Sequence, residues 1–314
     1  MIDVTDSTSR SNRRPTGSGL TIVNRKPGYS KITRGLTYGF LTLVAVLWLV
    51  PIGGAFYASI RPYQETQTKG IFSWPSTLTF QNYRDAFTQG QMSHTFLNTA
   101  FIVLPAIVLI LFFSSMVAFA VSRYSWRFNI AVLLLFTAGN LLPAQVLFQP
   151  LFQMFKHIAW PNILSDTDTG HLLGTKVAII IVHVAFQSGF CTFVLSNYMK
   201  TIPKELGEAA LVDGAGVLRQ FFQIVMPLCR PALAALATLE FTWLYNDFFW
   251  AVVLLNQGDQ RPITSSIANL GGQYFSNDNL IAAASMIIAM PTLAVYLAMQ
   301  KHFISGLTLG ANKG

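Results

Sequence analysis

The chain has 314 residues, 52% of them hydrophobic and only 11% charged, where a soluble domain carries about 25%. Its mean hydropathy is positive and its formal net charge is +8. Charge this sparse excludes an ordinary water-soluble domain, and the basic surplus reads as membrane topology rather than as a nucleic-acid surface.

Residues 1–35 are polar, rich in Ser, Thr, Gly and Arg, and lack the apolar core and small-residue cleavage site of a removable signal peptide. They are expected to form a disordered cytoplasmic tail. Six stretches then satisfy the need for about 20 apolar residues in helical form to cross a bilayer core. They cover roughly 36–59, 97–121, 129–155, 176–198, 231–255 and 280–304. Pro143 and Pro150 in the third and Pro291 in the sixth are candidate kinks.

Lys and Arg fall mainly on one side of these stretches. The tail, the second-to-third connection, the fourth-to-fifth connection and the C-terminal end together hold fifteen of the 21. Because cytoplasmic loops retain such an excess, both termini are expected in the cytoplasm. The fold class is therefore all-α, a polytopic membrane protein with six transmembrane helices. Its organisation is a tail (1–35), a first span with an external loop (36–96), a five-helix core (97–305) and a C-terminal cytoplasmic tail (306–314).

Cys191 and Cys229 stand 38 residues apart with no CxxC and no nearby His pair, so they read as packing residues without a metal. No HExxH, GxSxG or GxxxxGK[ST] pattern occurs, and the five His show no ligand spacing. An enzyme reading therefore has no constellation to stand on. A secondary transporter would show inverted repeats and ionisable residues near the midplane, whereas the spans carry only Glu240 and Asp247 as acids.

The connection from Met199 to Arg230 holds the most structured pattern. Thr201 is positioned to cap a helix with Pro203 and Glu205 in its first turn, and Gly214 or Gly216 is positioned to stop it. A second helix near 217–226 follows and ends at Pro227. Gly207, Ala209 and Ala210 give a small-residue face, flanked by Leu206 and Leu211 as apolar anchors. Such a knob suits a groove on another protein.

Glu208-Ala209-Ala210, then Gly214, then Ile224-Val225-Met226-Pro227 matches in spacing the EAA signature of permeases in bacterial binding-protein-dependent ATP-binding-cassette importers, with Met226 where Leu is usual. Phe72-Ser73-Trp74-Pro75, the run from Thr77 to Tyr83, the run from Phe96 to Thr99, the run from Tyr245 to Trp250, and the terminal Gly306 to Gly314 resemble its carbohydrate branch, specifically the second, shorter permease of the maltose-system type. The resemblance covers residue 36 to the end.

It implies a coupling helix docking in a separate ATP-binding subunit, with Glu208, Ala209, Ala210, Asp213, Gly214, Ile224 and Pro227 as the coupling residues and the C-terminal segment as a further contact. It also implies two ATP-binding subunits, a second permease, an extracytoplasmic binding protein and a sugar substrate. Glycerol-phosphate and polyol importers belong to the same branch. No cofactor is expected on this chain, since ATP is bound by the separate subunit. The cell membrane is the expected location.

Polar residues inside spans are costly and tend to face cavities or partner helices. Asn140, Gln187, Glu240, Asn246 and Asp247 are thus candidates for a substrate pathway, alongside Gln145 and His183, with Trp243, Tyr245 and Trp250 near enough to offer aromatic faces. Each also has an ordinary reading as interhelical glue.

Overall fold

The structure, a computed structural model, describes residues 31–140, 142–161, 163, 170–255, 258–267, 270 and 277–308. Both expected tails fall mostly outside these residues, and Lys31 to Gly35, assigned above to the N-terminal tail, are helical. Among the described residues there is no strand, only an isolated bridge between Ala159 and His171. The chain divides into two compact units, Met1–Val50 and Pro51–Gly314.

In the first unit the described residues belong to α1 (Lys31–Ser59), which is apolar on every side. Leu36, Leu43 and Trp48 are all well exposed. A helix that is hydrophobic all round and touches little of its own unit is suited to lipid or to partner helices.

The second unit continues with α2 (Tyr63–Lys69), α3 (Gln81–Gln89) and α4 (Met92–Arg123). The end of α1 leaves carbonyls without intrahelical partners. Two buried asparagines supply those partners: Asn279 Nδ2 donates to Ala58 O at 2.8 Å and Asn82 Nδ2 donates to Ser59 O at 2.8 Å. Both also donate to Arg61 O, so the chain turns sharply after α1 against α3 and the helix that carries Asn279. Glu65 Oε1 accepts from Ser76 N–H at 2.7 Å, and that bond lowers its pKa. Its contribution to this fold-back is therefore present above the ordinary carboxylate range and is lost as pH falls through the lowered value.

Helix α4 buries Ile102, Ala106, Ile110, Ser114 and Ala118, every fourth residue, which places them on one face. That face meets α7 (Lys176–Met199), where Ser114 Oγ donates to Ser188 O at 3.1 Å. Small residues at such a seam let backbones approach where no hydrophobic effect drives helices together. Thr175 caps α7 by accepting from Ala178 N–H at 3.2 Å.

The third apolar stretch is two helices rather than one, α5 (Asn129–Gly139) and α6 (Ala144–His157). Pro143 stands at the N-cap of α6 with φ −61° and ψ 131°, an extended conformation that interrupts the helix. Pro150 lies inside α6, so the break belongs to Pro143. α5 packs on α7 at Gly189, where an added Cβ would stand 1.9 Å from Phe136 O and 2.6 Å from Asn140 Nδ2.

After α7 come α8 (Glu205–Val212), α9 (Val217–Gln220), a π-helical turn over Phe221–Val225, α10 (Met226–Leu228) and α11 (Arg230–Tyr245). The run 217–228 bends by 73° into α11. The expected fifth span is broken too: α11 stops at Tyr245 and α12 (Phe249–Leu254) restarts beyond Asn246 to Phe248. Asp247 accounts for the restart, because its carboxylate accepts from the N–H groups of Trp250 and Ala251 at 3.4 and 3.3 Å. A short α13 (Ile263–Ser266) and the long α14 (Asp278–Thr308) complete the order. Pro291 lies inside α14.

Four helices, α1, α4, α7 and α14, are individually long and apolar enough to cross a membrane, and two bent pairs raise the number to as many as six. The largest core cluster joins α4, α7 and α11 through Ile110, Phe119, Leu195, Met199 and Leu236. Cys191 and Cys229 are free and buried in that cluster, as packing residues should be.

Gly189→Ala is expected to destabilise the solubilised protein by about 1–3 kcal/mol, the usual cost of overpacking. A thermal-unfolding series should show this loss while Gly139→Ala, which would meet nothing within 4 Å, leaves the midpoint unchanged. Equal midpoints for the two variants would contradict the close approach of α5 to α7.

Candidate functional site

The segment between α7 and α11 folds as a projection of short helices built around the predicted motif. Thr201 does not cap the first helix: its hydroxyl donates back to Tyr198 O at 2.7 Å and finishes α7 instead. Helix α8 begins later, with Lys204 at its N-cap and no side-chain cap, and carries Glu205 and Glu208 in its first turn. Both acids there are favourably placed against the positive end of the helix.

Gly214 ends the helix with φ +76°, a left-handed conformation that L side chains adopt only with strain. Gly214 N–H donates to Leu211 O at 3.0 Å and Ala215 N–H to Ala210 O at 2.8 Å. This pair of bonds is a Schellman motif, and it fixes the exit angle of the chain. Of the two candidate stop glycines, Gly214 makes the turn, while Gly216 has φ −64° and opens α9.

The projection is tied firmly to the helical core. Arg123, the last residue of α4, donates from Nη1 to Ile202 O at 3.1 Å. Buried Gln220 donates from Nε2 to Ala215 O at 3.0 Å, closing α8 onto α9. Phe221 stacks edge-on against Phe119 of α4 at 5.3 Å between centroids, and Val225 and Cys229 enter the main core cluster. These ties connect the projection to α4 and to the main core shared by α4, α7 and α11.

One face of the projection points inward and one outward. Ala210 and Ala215 are buried, so Ala210 serves this chain's own packing and leaves Ala209 as the exposed alanine of the motif. Glu208, Ala209, Asp213 and Gly214 are exposed, and Ile224 and Pro227 are half-buried. Glu208 and Ile224 share the lining of a shallow pocket with Arg123, Lys204, Gly207 and Leu211. Leu211 at its rim is 61% exposed, and outside it Val212 and Leu218 are 88 and 69% exposed. Apolar side chains this bare on two short helices, beside acids and a small-residue patch, form a surface shaped for another protein.

The interior polar candidates do not converge. Glu240 is completely buried, and its Oε1 accepts from Cys191 Sγ at 3.1 Å, linking α11 to α7. Asp247 caps α12, lies 3.7 Å from His183 Nε2, and accepts from Thr264 Oγ1 through its carbonyl at 2.7 Å. Those two acids are engaged in holding helices and their breaks. Asn140 is exposed at the end of α5 beside Gly189, and Gln187 is half-buried on α7. Asn246 is exposed, with Nδ2 donating to Thr242 O at 2.7 Å, and lines a cleft between α11 and α14 with Thr242, Thr292 and Tyr296.

Thr292 and Tyr296 were not among the predicted residues, although their i, i+4 spacing on an apolar helix mirrors that of Thr242 and Asn246. Thr292, which lines the cleft, has an Oγ1 that is buried without a hydrogen-bond partner among the described residues. Among the described residues no group of three or more His, Cys, Asp or Glu is placed to hold a metal ion.

Comparison with known proteins agrees with this geometry. Residues 110–308 match the family model described as binding-protein-dependent transport system inner membrane component. The chain is 32% identical over 266 residues to a probable ABC transporter permease protein of Pyrococcus horikoshii, covering 84% of this chain and 92% of the relative. It is 30% identical over 273 residues to the melibiose/raffinose/stachyose import permease protein MelC of Bacillus subtilis, covering 87% and 94%. Among solved structures, a bacterial ABC transporter involved in import of the acidic polysaccharide alginate superposes with TM-score 0.70 at 22% identity, covering 88% of this chain and 99% of that one. The match runs through the α4–α7–α11 core and the projection that it carries, and the chain belongs to the family of binding-protein-dependent transport system inner membrane components.

Proposed function

We propose that this chain is the permease subunit of an ATP-driven importer, forming half of the pathway for a sugar delivered by an extracytoplasmic binding protein. The observation that carries the reading is the projection itself: an exposed acidic and apolar surface on α8 and α9, locked by the Gly214 turn and bonded into three long helices. The family's description as a binding-protein-dependent inner membrane component supports a binding-protein partner and an inner-membrane location. A sugar cargo is supported by the import permease of Bacillus subtilis named for oligosaccharides.

In this reading six spans cross the membrane and both termini are cytoplasmic, in line with the distribution of Lys and Arg. The broken pairs then count as single spans. Two ATP-binding subunits, each with its own phosphate loop, lie beneath this chain and a second, distinct permease. Glu208, Ala209, Asp213 and Gly214 meet the groove of one ATP-binding subunit, while Ala210, Ile224 and Pro227 hold the helices behind them. Closure of the ATP-binding subunits pulls on α8, and the tie from Arg123 to Ile202 carries that pull to the spans. The ligand shifts a two-state equilibrium only by its differential contacts with the two states, and a rigid knob makes those contacts count. The chain itself supplies no catalytic group.

The pathway wall is assigned to Asn246 with Thr242, Thr292 and Tyr296. These offer hydroxyl and amide groups and an aromatic face on an open cleft, the chemistry that binds sugars. Glu240 and Asp247 act behind that wall, and Asn140 and Gln187 lie on the α5–α7 side.

Glu208→Lys, assayed in the reconstituted complex, is expected to lower transport and substrate-stimulated ATP hydrolysis by roughly tenfold or more, as loss of an interface hot spot does. Full activity in that variant would remove α8 from the coupling surface. For the wall, Asn246→Ala should reduce uptake by about tenfold, in line with a loss of roughly 1.4 kcal/mol, while Glu240→Gln retains most of it. Uptake abolished by Glu240→Gln and untouched by Asn246→Ala would place the pathway on the other side of α11.

A further inference from the structure

The segment between α1 and α3 presents an arrangement that the transport reading leaves unused. Arg61 is fully buried, and its guanidinium donates to Gly70 O at 3.2 Å, Ile71 O at 2.6 Å and Ser73 Oγ at 2.7 Å. Glu65 lies 3.7 Å away, and the Tyr57 ring sits 5.1 Å beneath the guanidinium carbon. The Tyr57 hydroxyl donates to Ser73 O. Tyr57 belongs to the last turn of α1, so residues 71–74 are folded back to the depth of that turn rather than extended away from it.

What this fold-back displays is apolar. Phe72 is 95% and Trp74 91% exposed, while Ser73 between them turns inward to the clamp. Ile71, next to them in the chain, is exposed, and so are Ile52 and Phe56 towards the end of α1. Such a pair in water is costly to keep exposed, and nothing in a loop requires it. Trp and its aromatic neighbours are enriched at the level of lipid headgroups, where an amphipathic ring meets both phases. A tip meant for a soluble partner would stand clear of the bilayer, whereas one bond from Tyr57 in the last turn of α1 and three from Arg61 just beyond it hold this one beside the helix end.

We propose that Phe72 and Trp74 form an interfacial anchor, seated at the boundary of headgroups and acyl chains in the outer leaflet, with buried Arg61 as the clamp that sets their depth. The proposal rests on the reading that the chain spans the membrane with this segment on the outer side. The anchor fixes the height of the end of α1, and through Asn82 and Asn279 the height of α3 and α14.

The test places spin labels at Phe72→Cys and, separately, Trp74→Cys in the complete complex reconstituted in phosphatidylcholine and phosphatidylglycerol vesicles. Collision with oxygen and with a water-soluble nickel chelate gives the depth of each label, and Val108→Cys on α4, 66% exposed, serves as the mid-span reference. The expected result is a shallow but lipid-side depth at both sites and a deep one at position 108. Free access of the chelate to 72 and 74 with position 108 deep would overturn the anchor. So would exclusion of both reagents there, which would show a protein covering the tip. Chelate access at position 108 as well would instead refute the membrane-spanning reading beneath it. In the unlabelled complex, brominated lipids should quench a fluorescence component that Trp74→Phe removes; no change in quenching would count against the anchor.

Discussion

Hydrocarbon supplies no hydrogen bonds, so every interruption of a helix inside it must be satisfied by the protein. Much of this structure follows from that constraint. The break after α11 is met by Asp247, whose carboxylate reaches two N–H groups of α12 and whose carbonyl takes the hydroxyl of Thr264. The end of α1 is met by Asn82 and Asn279. Polar side chains spent in this way are held in place, and the carboxylates of Glu240 and Asp247 are both engaged between or at the ends of helices.

The same economy explains how the α8–α9 projection is held to the long helices. α8 and α9 are too short to be stable alone. They persist because Gln220 closes one upon the other, Arg123 ties the preceding strand of chain to α4, and Phe221 plugs the main core. A force on their exposed face is thus not absorbed by local unfolding. The α4–α7 seam of Ser and Ala permits close backbone approach of these helices.

Much of this was legible in the sequence. Hydropathy located α1, α4, α7 and α14, because long apolar runs have few alternatives in a bilayer. The spacing from Glu208 to Pro227 located the α8–α9 projection, and Gly214 was a named candidate for its turn. The break in the third stretch was foreshadowed by Pro143 but drawn as a continuous span, since a window of hydropathy averages over four residues. The break at Asn246 to Phe248 was hidden for the same reason. Thr201 resembles an N-cap in sequence, yet a hydroxyl at the end of one helix can serve that helix instead of the next. Periodicity could not show that Ala210 faces inward and Ala209 outward, because which side of a two-turn helix meets the core is decided by packing from α9. Thr292 and Tyr296 escaped notice because a threonine and a tyrosine in an apolar helix are ordinary until a second helix sets Thr242 and Asn246 opposite them.

The central claim is that this chain is one half of a transport pathway driven by ATP hydrolysed elsewhere. Its most direct test is purification of the tagged wild-type chain from its native membrane in mild detergent, with mass-spectrometric identification of what accompanies it and a measurement of ATP hydrolysis. The account predicts a second six-span permease and a phosphate-loop ATPase in stoichiometric amounts, with hydrolysis in the purified fraction. Recovery of the chain alone, under conditions in which other membrane complexes of the same host stay intact, would contradict it.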